Sequence, residues 1–315
     1  MMHFTEKVES LKARIIDQVK PLIQEDFVYL DLPYHNNIGD TLIWEGTLQF
    51  FKHIPHRCTY KSSVVTFKES RINPKGGTIL LHGGGNFGDL WPEHQRFRMD
   101  IIQNYPYHRI IILPQTFFYE DQELMKKDAK IMAQHPDLHI CARDDKSFAL
   151  LSEHFSDNYI LLVPDMAFCI PKQVLEKYRV NEEDKTLILK RKDKELPEGS
   201  IEKLQPAGKN IEIRDWPSLE TSEPPSKKLF AISNNKYSSR GMVDWYAHHI
   251  FKNKLLKIGV AFVSQYKEIY TTRLHVAILA VLLHKHCYFL DNSYGKNSTF
   301  YSTWFSDLEG ISFIK

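Results

Sequence analysis

Two α/β domains, each built on a mainly parallel sheet, are what the sequence predicts, and three observations predict them. Strand-like runs alternate with helical patterns along most of the 315 residues, the pattern that right-handed crossovers and parallel pairing produce. That length exceeds what one small core accommodates and suits two domains of ordinary size. The third observation is residues 267–296, which read as strand, sharp junction, helix, strand and polar loop. Within it, residues 274–283 are apolar on nearly every side, which marks a buried helix rather than a surface one.

Taken in order, Val8, Leu11, Ile15, Val19 and Leu22 put one apolar face on a helix over 4–24. A strand over 27–32 leads into the turn PYHNNIGD. There Asn36, Asn37 and Gly39 suit a tight turn, and Asp40 caps a helix running to about residue 53. Further strands are expected at 57–66, 78–82, 108–113, 138–142 and 159–163, separated by helices over 93–104, 121–134 and 144–154. These make one doubly wound domain. Pro164 and Pro171 bracket a hinge, which divides the chain into domains 1–170 and 171–315.

The second domain opens with the buried strand Thr186-Leu187-Ile188-Leu189. Residues 191–228, rich in Lys, Glu, Pro and Ser, read as mobile loop with one strand at 211–213. Helix returns over 240–262 in one or two pieces. A strand containing Ile269, Tyr270 and a Thr pair follows, then the buried helix, then a strand at 288–290 closed by Asp291-Asn292-Ser293 and Gly295. Residues 310–314 supply a last edge strand.

Composition excludes several classes. The 41 basic and 39 acidic residues give a net charge of +2, which argues against a nucleic-acid partner. Cys58, Cys141, Cys169 and Cys287 are far apart in strand-like contexts, so free buried thiols in a reducing compartment are expected. No CxxC or HExxH occurs, and His248-His249 and His284-x-His286 lack the partners of a metal box, so no metal site is expected. The N-terminus has no signal-peptide pattern, and the apolar runs fall short of the ~20 residues that span a bilayer. A cytoplasmic protein is expected. The helix over 4–24 docks on its own domain or, as the alternative, rests peripherally on the inner face of the cytoplasmic membrane.

The chemistry concentrates at strand ends. Arg273 and His275 sit at the strand-to-helix junction, where open α/β sheets bind ligands. First-turn N–H groups lack internal partners and carry partial positive charge, so the junction favours an anion. Thr271 or Thr272 can cap the turn, Arg273 offers a planar fork for phosphate or carboxylate, and His275 exchanges a proton near neutral pH. An equal alternative is that Arg273 pairs with an acidic neighbour and His275 caps the helix.

In ILLHGGGNFGDLWP, Gly83, Gly85 and Gly88 match G-x-G-x-x-G after a strand. The next strand ends in Leu113-Pro114-Gln115, without the carboxylate a dinucleotide ribose needs, so no nicotinamide or flavin is expected. Gly83, Gly84 and Gly85 with Asn86 still let backbone approach a phosphate or sugar. Arg143, followed by Asp144 as N-cap, is a second candidate anion clamp; a salt bridge to Asp144 or Asp145 is its alternative. Asp165 ends a later strand. Lys190 and Arg191 close the first strand of the second domain, one facing a cleft and the other solvent. Lys296, after the Gly295 turn, is a further cation.

With these residues in view, the chain resembles the polysaccharide pyruvyl transferase family. The carrying motifs are Asn37-Ile-Gly-Asp40, His82-Gly-Gly-Gly-Asn86, Pro114-Gln115, Arg143-Asp144 with Ser147, Pro164-Asp165, Arg191-Lys-Asp193, Thr272-Arg-Leu-His275 and Gly295-Lys296. The resemblance implies a glycosyltransferase-B-like pair of facing Rossmann-like domains with the site between them. It implies a phosphoenolpyruvate donor and a galactose-like or mannosamine-like acceptor on a surface polysaccharide or its lipid-linked precursor. Phosphate is released and a pyruvate ketal formed.

On this reading Arg143, Arg273, Lys190, Arg191 and Lys296 bind the donor, and Arg273 and His275 are catalytic, His275 protonating the enol carbon. Asn37, Asp40, Gly83, Gly84, Gly85, Asn86 and Asp165 shape the acceptor side. The reaction requires no metal or redox cofactor, and the oligomeric state is open. Two rival classes use the same residues: a nucleotide-sugar glycosyltransferase of the same architecture, and a non-catalytic binding protein for polysaccharide precursors.

Overall fold

Phe27, Val28, Tyr29 and Leu30 are all buried, the mark of a parallel strand covered on both faces. They form β1 (Phe27–Leu30) of a seven-stranded sheet in the computed structural model, which describes residues 1–190, 210–235, 237–291 and 295–314. Its other strands are β2 (Cys58–Lys61), β3 (Thr78–Leu81), β4 (Gly84–Gly88), β5 (Arg109–Phe118), β6 (Leu138–Ala142) and β7 (Tyr159–Leu162). The order is β2-β1-β3-β5-β6-β7, with β4 paired on β5, and every pairing is parallel. The associated helices are α3 (Pro92–Asn104), α4 (Gln122–Met132) and α5 (Asp145–His154), with the C-terminal parts of α1 (Phe4–Val19) and α2 (Ile38–Phe50). Alternate strand residues such as Ile79, Leu81, Ile110, Ile112 and Ile140 join Phe87, Phe97 and Phe155 in one core.

The second sheet has five strands in the order β12-β11-β10-β8-β9, again all parallel. They are β8 (Glu183–Leu189), β9 (Ile211–Arg214), β10 (Tyr266–Thr271), β11 (Cys287–Leu290) and β12 (Ile311–Ile314). Its helices are α6 (Lys172–Glu176), α7 (Pro217–Glu220), α8 (Ser226–Ser233), α9 (Arg240–Tyr246), α10 (Lys252–Ser264), α11 (Leu274–Leu282) and α12 (Lys296–Phe300). A π turn, Ala247–Phe251, joins α9 to α10. The helix expected over 240–262 is thus two helices, and β12 holds the expected edge.

Both sheets are parallel with helical crossovers, so the two-domain, Rossmann-like α/β class is present. Each compact unit draws on more than one stretch of chain: Met1–Leu11, His35–Glu45 and Ile170–Lys315 make one, Lys12–Tyr34 and Gly46–Cys169 the other. Relative to a cut after residue 170, the segments 1–11 and 35–45 therefore belong with the five-stranded sheet. Local bonds explain this. Met2 bridges Leu308, the Lys7 ammonium lies 2.6 Å from Asp307, and Asn36 is bonded to Ser226.

Three other features depart from expectation. The glycine stretch after β3 is itself a strand, β4, and β5 continues through Pro114 to Phe118 because β4 pairs with its second half. Residues 210–228, expected as loop with one strand, also hold α7 and the start of α8, while 191–209 lie outside the described residues. The four cysteines are free, and burial pushes the Cys58 and Cys141 thiols up to about 12. Among the described residues no helix is long and apolar enough to cross a membrane.

Candidate active site

In the five-stranded sheet the strand order reverses between β8 and β10, and ligands of open α/β sheets bind at the carboxyl ends of strands at such a switch point. Leu189 and Thr271 are register partners there, so Lys190 follows one strand end and Arg273 and His275 the other. Thr271 Oγ1 accepts the Arg273 N–H at 2.9 Å, which turns the chain out of β10. Arg273 keeps extended geometry (φ −97°, ψ 119°) as the residue before α11. Every residue of α11 is buried except His275, which is half-buried in its first turn.

The guanidinium of Arg273 is committed. Nε lies 2.6 Å from Oδ1 of Asp215 and Nη2 lies 2.7 Å from Oδ2, with both side chains almost fully buried. This bidentate pair is the acidic-partner alternative for Arg273, although the acid is 58 residues away rather than a neighbour. Asp215 directly follows β9 and also accepts its own chain's Trp216 N–H at 2.7 Å, while its N–H goes to Glu220. Asn297 ties the same junction to β11: its Nδ2 donates to the Thr272 carbonyl at 2.7 Å and the Leu290 carbonyl at 2.8 Å. Asp291 caps the following turn through the N–H groups of Asn297 and Ser298. Gly295 adopts φ +78°, a conformation that favours glycine, and places Lys296 half-buried at the start of α12.

The turn before α2 reaches this junction. Asn37 Oδ1 accepts the Gly39 N–H at 3.0 Å and its Nδ2 donates to Asp40 at 2.8 Å, while His35 lies 3.6 Å from the same carboxylate. A Cβ on Gly39 would stand 2.6 Å from Nδ1 of His275, so the backbone there lies directly against the imidazole. Asn36 fixes the turn from outside by bonding the backbone and hydroxyl of Ser226 and accepting from Ser218. The structure thus gathers Asn37, Asp40 and His275 around one loop, with Lys190 at the adjacent strand end. Arg191 lies outside the described residues.

The seven-stranded sheet has its own switch point, between β1 and β3. Asp31 follows β1 with φ +67°, is 1% exposed, and is hydrogen-bonded to His94 Nδ1 at 2.6 Å. His82 follows β3, and its Nδ1 is hydrogen-bonded to the Tyr29 hydroxyl. Burial pushes that hydroxyl far up, so it stays protonated.

Gly83 leads into β4, which holds Gly84, Gly85 and Asn86, and the stretch is held by a polar lattice. Gln115 Nε2 donates to the His82 carbonyl and to Asn86 Oδ1, at 2.8 and 2.9 Å, and Arg98 Nη2 donates to Asn86 Oδ1 at 2.7 Å. Arg98, fully buried, also bonds Gln95, which in turn donates to Tyr119 and Asp128. Gly88 is required for a structural reason: at φ +114°, a Cβ would meet the Phe118 carbonyl oxygen at 1.7 Å.

Arg143 is likewise engaged. Its Nε donates to Thr116 Oγ1 at 2.8 Å and its Nη1 to Asp165 Oδ2 at 2.9 Å, all within the interior. Its ion pair is with Asp165, an acid not weighed as its partner from the sequence, while Asp144 caps α5 through the Ser147 N–H. Reading the sequence passed over Asp215, Asp31, His94 and Arg98. The first two directly follow strands, which is the signal that would have found them. Among the described residues no group of His, Cys, Asp and Glu is arranged to hold a metal ion.

Residues 37–294 match the family model for polysaccharide pyruvyl transferase. A protein of Bacillus subtilis (strain 168) named "Putative pyruvyl transferase EpsO" is 32% identical over 91% of this chain and 87% of its own. "Pyruvyl transferase 1" of Schizosaccharomyces pombe is 26% identical over 90% of this chain and 71% of its own. The crystal structure of protein KP1_0663 from Klebsiella pneumoniae superposes with a TM-score of 0.64, covering 97% of this chain and 98% of that one at 22% identity, a likeness of fold. The match extends from the Asn37 turn through the Arg273–His275 junction, and the chain belongs to the polysaccharide pyruvyl transferase family, enzymes of pyruvyl transfer to a polysaccharide.

Proposed function

We propose that the donor is phosphoenolpyruvate and that the acceptor is a galactose-like residue of a surface polysaccharide or its lipid-linked precursor. The products are a cyclic pyruvate ketal and phosphate. The observation that carries this reading is His275: the one residue of α11 with access to solvent, in its first turn, at a switch point, with the Gly39 backbone against its ring.

The chemistry asks for one proton donor near neutral pH and for fixed positive charge. His275 gives its proton to the methylene carbon, which becomes a methyl group, and the electron pair leaves the neighbouring carbon as an oxocarbenium centre. A sugar hydroxyl attacks that centre and returns a proton to the imidazole. Phosphate departs with its C–O electron pair, and a second hydroxyl closes the ketal as its proton passes to the phosphate. Each step is a proton transfer or a displacement at carbon, so the scheme calls on no redox cofactor or metal.

Arg143 and Arg273 each face a carboxylate, Asp165 and Asp215, which offsets much of their charge. Lys190, Lys296 and the first-turn amides of α11 are therefore the groups assigned to the donor's phosphate and carboxylate. In this scheme Arg273 chiefly holds the strand end that carries the site. Asn37 and Asp40 orient an acceptor hydroxyl. The test is phosphate release from phosphoenolpyruvate against a panel of free and lipid-linked oligosaccharides, with the ketal identified by NMR. Release that depends on a galactose-containing acceptor is expected. Turnover of a sugar nucleotide without consumption of phosphoenolpyruvate would overturn the reading.

A further inference from the structure

Large apolar side chains are exposed along one short stretch: Phe230 at 51%, Tyr237 at 82%, Met242 at 54%, Trp245 at 58% and Ile250 at 42%. They lie on α8, the connection that follows it, α9 and the π turn. Met242 and Trp245 are three apart, so they share a face of α9, while Val243, Tyr246 and Ala247 are buried on the other. A π turn takes more residues per turn than an α-helix, which brings Ile250 round towards the face of Trp245. His249 covers one side of the Trp245 ring at 5.3 Å.

The charge around this face is one-sided. Residues 226–257 carry Lys227, Lys228, Lys236, Arg240, Lys252, Lys254 and Lys257 against Asp244 alone, on a chain whose net charge is only +2. Lys252 is buried in an ion pair with Glu45 and does not count towards the surface, and Lys227 is offset by Glu223 at 2.6 Å. Lys254 and Lys257 follow Ile250 at helical spacing and are exposed, and Lys227, Lys228 and Arg240 are exposed beside Phe230 and Met242.

We propose that this face docks on an anionic lipid surface. Tryptophan and other amphipathic or apolar side chains flanked by lysine and arginine suit the headgroup boundary, where aromatic rings insert and cations meet lipid phosphates. A second copy of the chain fits the same face poorly, because a two-fold contact would set each cluster of cations against itself. The face also leads back to the candidate site: Ser226, which opens α8, is bonded to Asn36, three residues before Gly39. Docking there would bring a lipid-linked acceptor to the loop that borders His275, a consequence that goes beyond the donor chemistry and does not depend on it.

The test is co-sedimentation of the whole protein with vesicles of phosphatidylcholine alone and of phosphatidylcholine with phosphatidylglycerol, at low and high salt. Binding to the anionic vesicles only, weakened by salt, is expected. It should be accompanied by a blue shift of tryptophan emission that is absent from Trp245→Phe. Arg240→Glu combined with Lys254→Glu should lower partitioning at least about tenfold, and Met242→Ser combined with Trp245→Ser should do the same. Circular dichroism and turnover of a water-soluble acceptor should be unchanged in both variants. Equal binding to both vesicle types, no binding to either, or binding that neither variant weakens would overturn the proposal. So would an oligomer that Trp245→Ser dissociates, since the face would then belong to a second copy.

Discussion

The backbone of Gly39 lies so close to the His275 imidazole that a Cβ at residue 39 would stand 2.6 Å from Nδ1 and 2.9 Å from Cγ. Two motifs 236 residues apart in the chain are thereby joined at van der Waals contact. Gly39 sits in an ordinary helical turn, so alanine there meets no backbone objection and the ring must yield. Gly39→Ala is expected to fold normally, with a melting temperature near wild type. Turnover should fall by ~10²-fold, the cost of misplacing a reacting group by about 1 Å. Thermal denaturation and steady-state kinetics measure the two effects separately.

Arg273 and Asp215 call for a different outcome. Both charges are buried and fully engaged with each other, and removing one partner of such a pair leaves the other uncompensated. Asp215→Ala is expected to destabilise the fold by ~3–5 kcal/mol, read as a shift in urea midpoint. Replacing both residues together with apolar side chains of similar size should cost much less than the single change. A single variant with wild-type stability would show that the pair does not hold the junction.

The same reasoning covers Arg143 and Asp165 in the seven-stranded sheet, where Asp165 also accepts the Ala167 N–H at 3.0 Å. Asp165→Ala should lower stability by a similar ~3–5 kcal/mol. Asp165→Asn, which keeps one of the two acceptor oxygens that serve the guanidinium and the Ala167 amide, should lose less. Denaturant titration of the two variants side by side checks the order.

Acid should weaken the fold through buried histidines. Burial lowers the His108 and His135 pKa values from 6.5, and each ring nitrogen meets a backbone carbonyl, Asn73 at 2.8 Å and Tyr105 at 3.2 Å. In the unfolded chain these groups take up protons first, so the unfolded state binds more protons just below pH 6.5. Their stabilising contribution is complete above that pH and is lost as pH falls through 6.5 towards the lowered folded values. Melting temperature should drop on acidification from about pH 7.5 to pH 5.5, and less steeply in His135→Gln. A parallel drop in that variant would assign the acid limb to other groups.

Much of this molecule can be read from its sequence, for identifiable reasons. β10 and α11 are legible because β-branched and aromatic residues give way to an unbroken apolar run that has no other use in a folded chain. β4 is not, because Gly84, Gly85 and Gly88 carry no side chains whose pattern could mark a strand, and its pairing comes from the distant Gln115–Phe118 stretch. His275 stands out by its place at a strand end. Its neighbour Gly39 is legible only as a turn residue, since the contact that requires it is made across the fold. For Arg273 and Arg143 the local residues leave ligand and salt bridge equally open. The partners, Asp215 and Asp165, are 58 and 22 residues away, beyond any local pattern.

The central claim is that His275 supplies the proton for pyruvyl transfer from phosphoenolpyruvate. Single-turnover release of phosphate, followed with wild type and His275→Ala in the presence of a galactose-containing acceptor, tests it most directly. Calorimetry on the same preparations gives donor affinity. The account predicts donor affinity within a few-fold of wild type and phosphate release slowed by ~10²–10⁴-fold, the usual contribution of a positioned general acid. A folded His275→Ala protein that releases phosphate at close to the wild-type rate would contradict it.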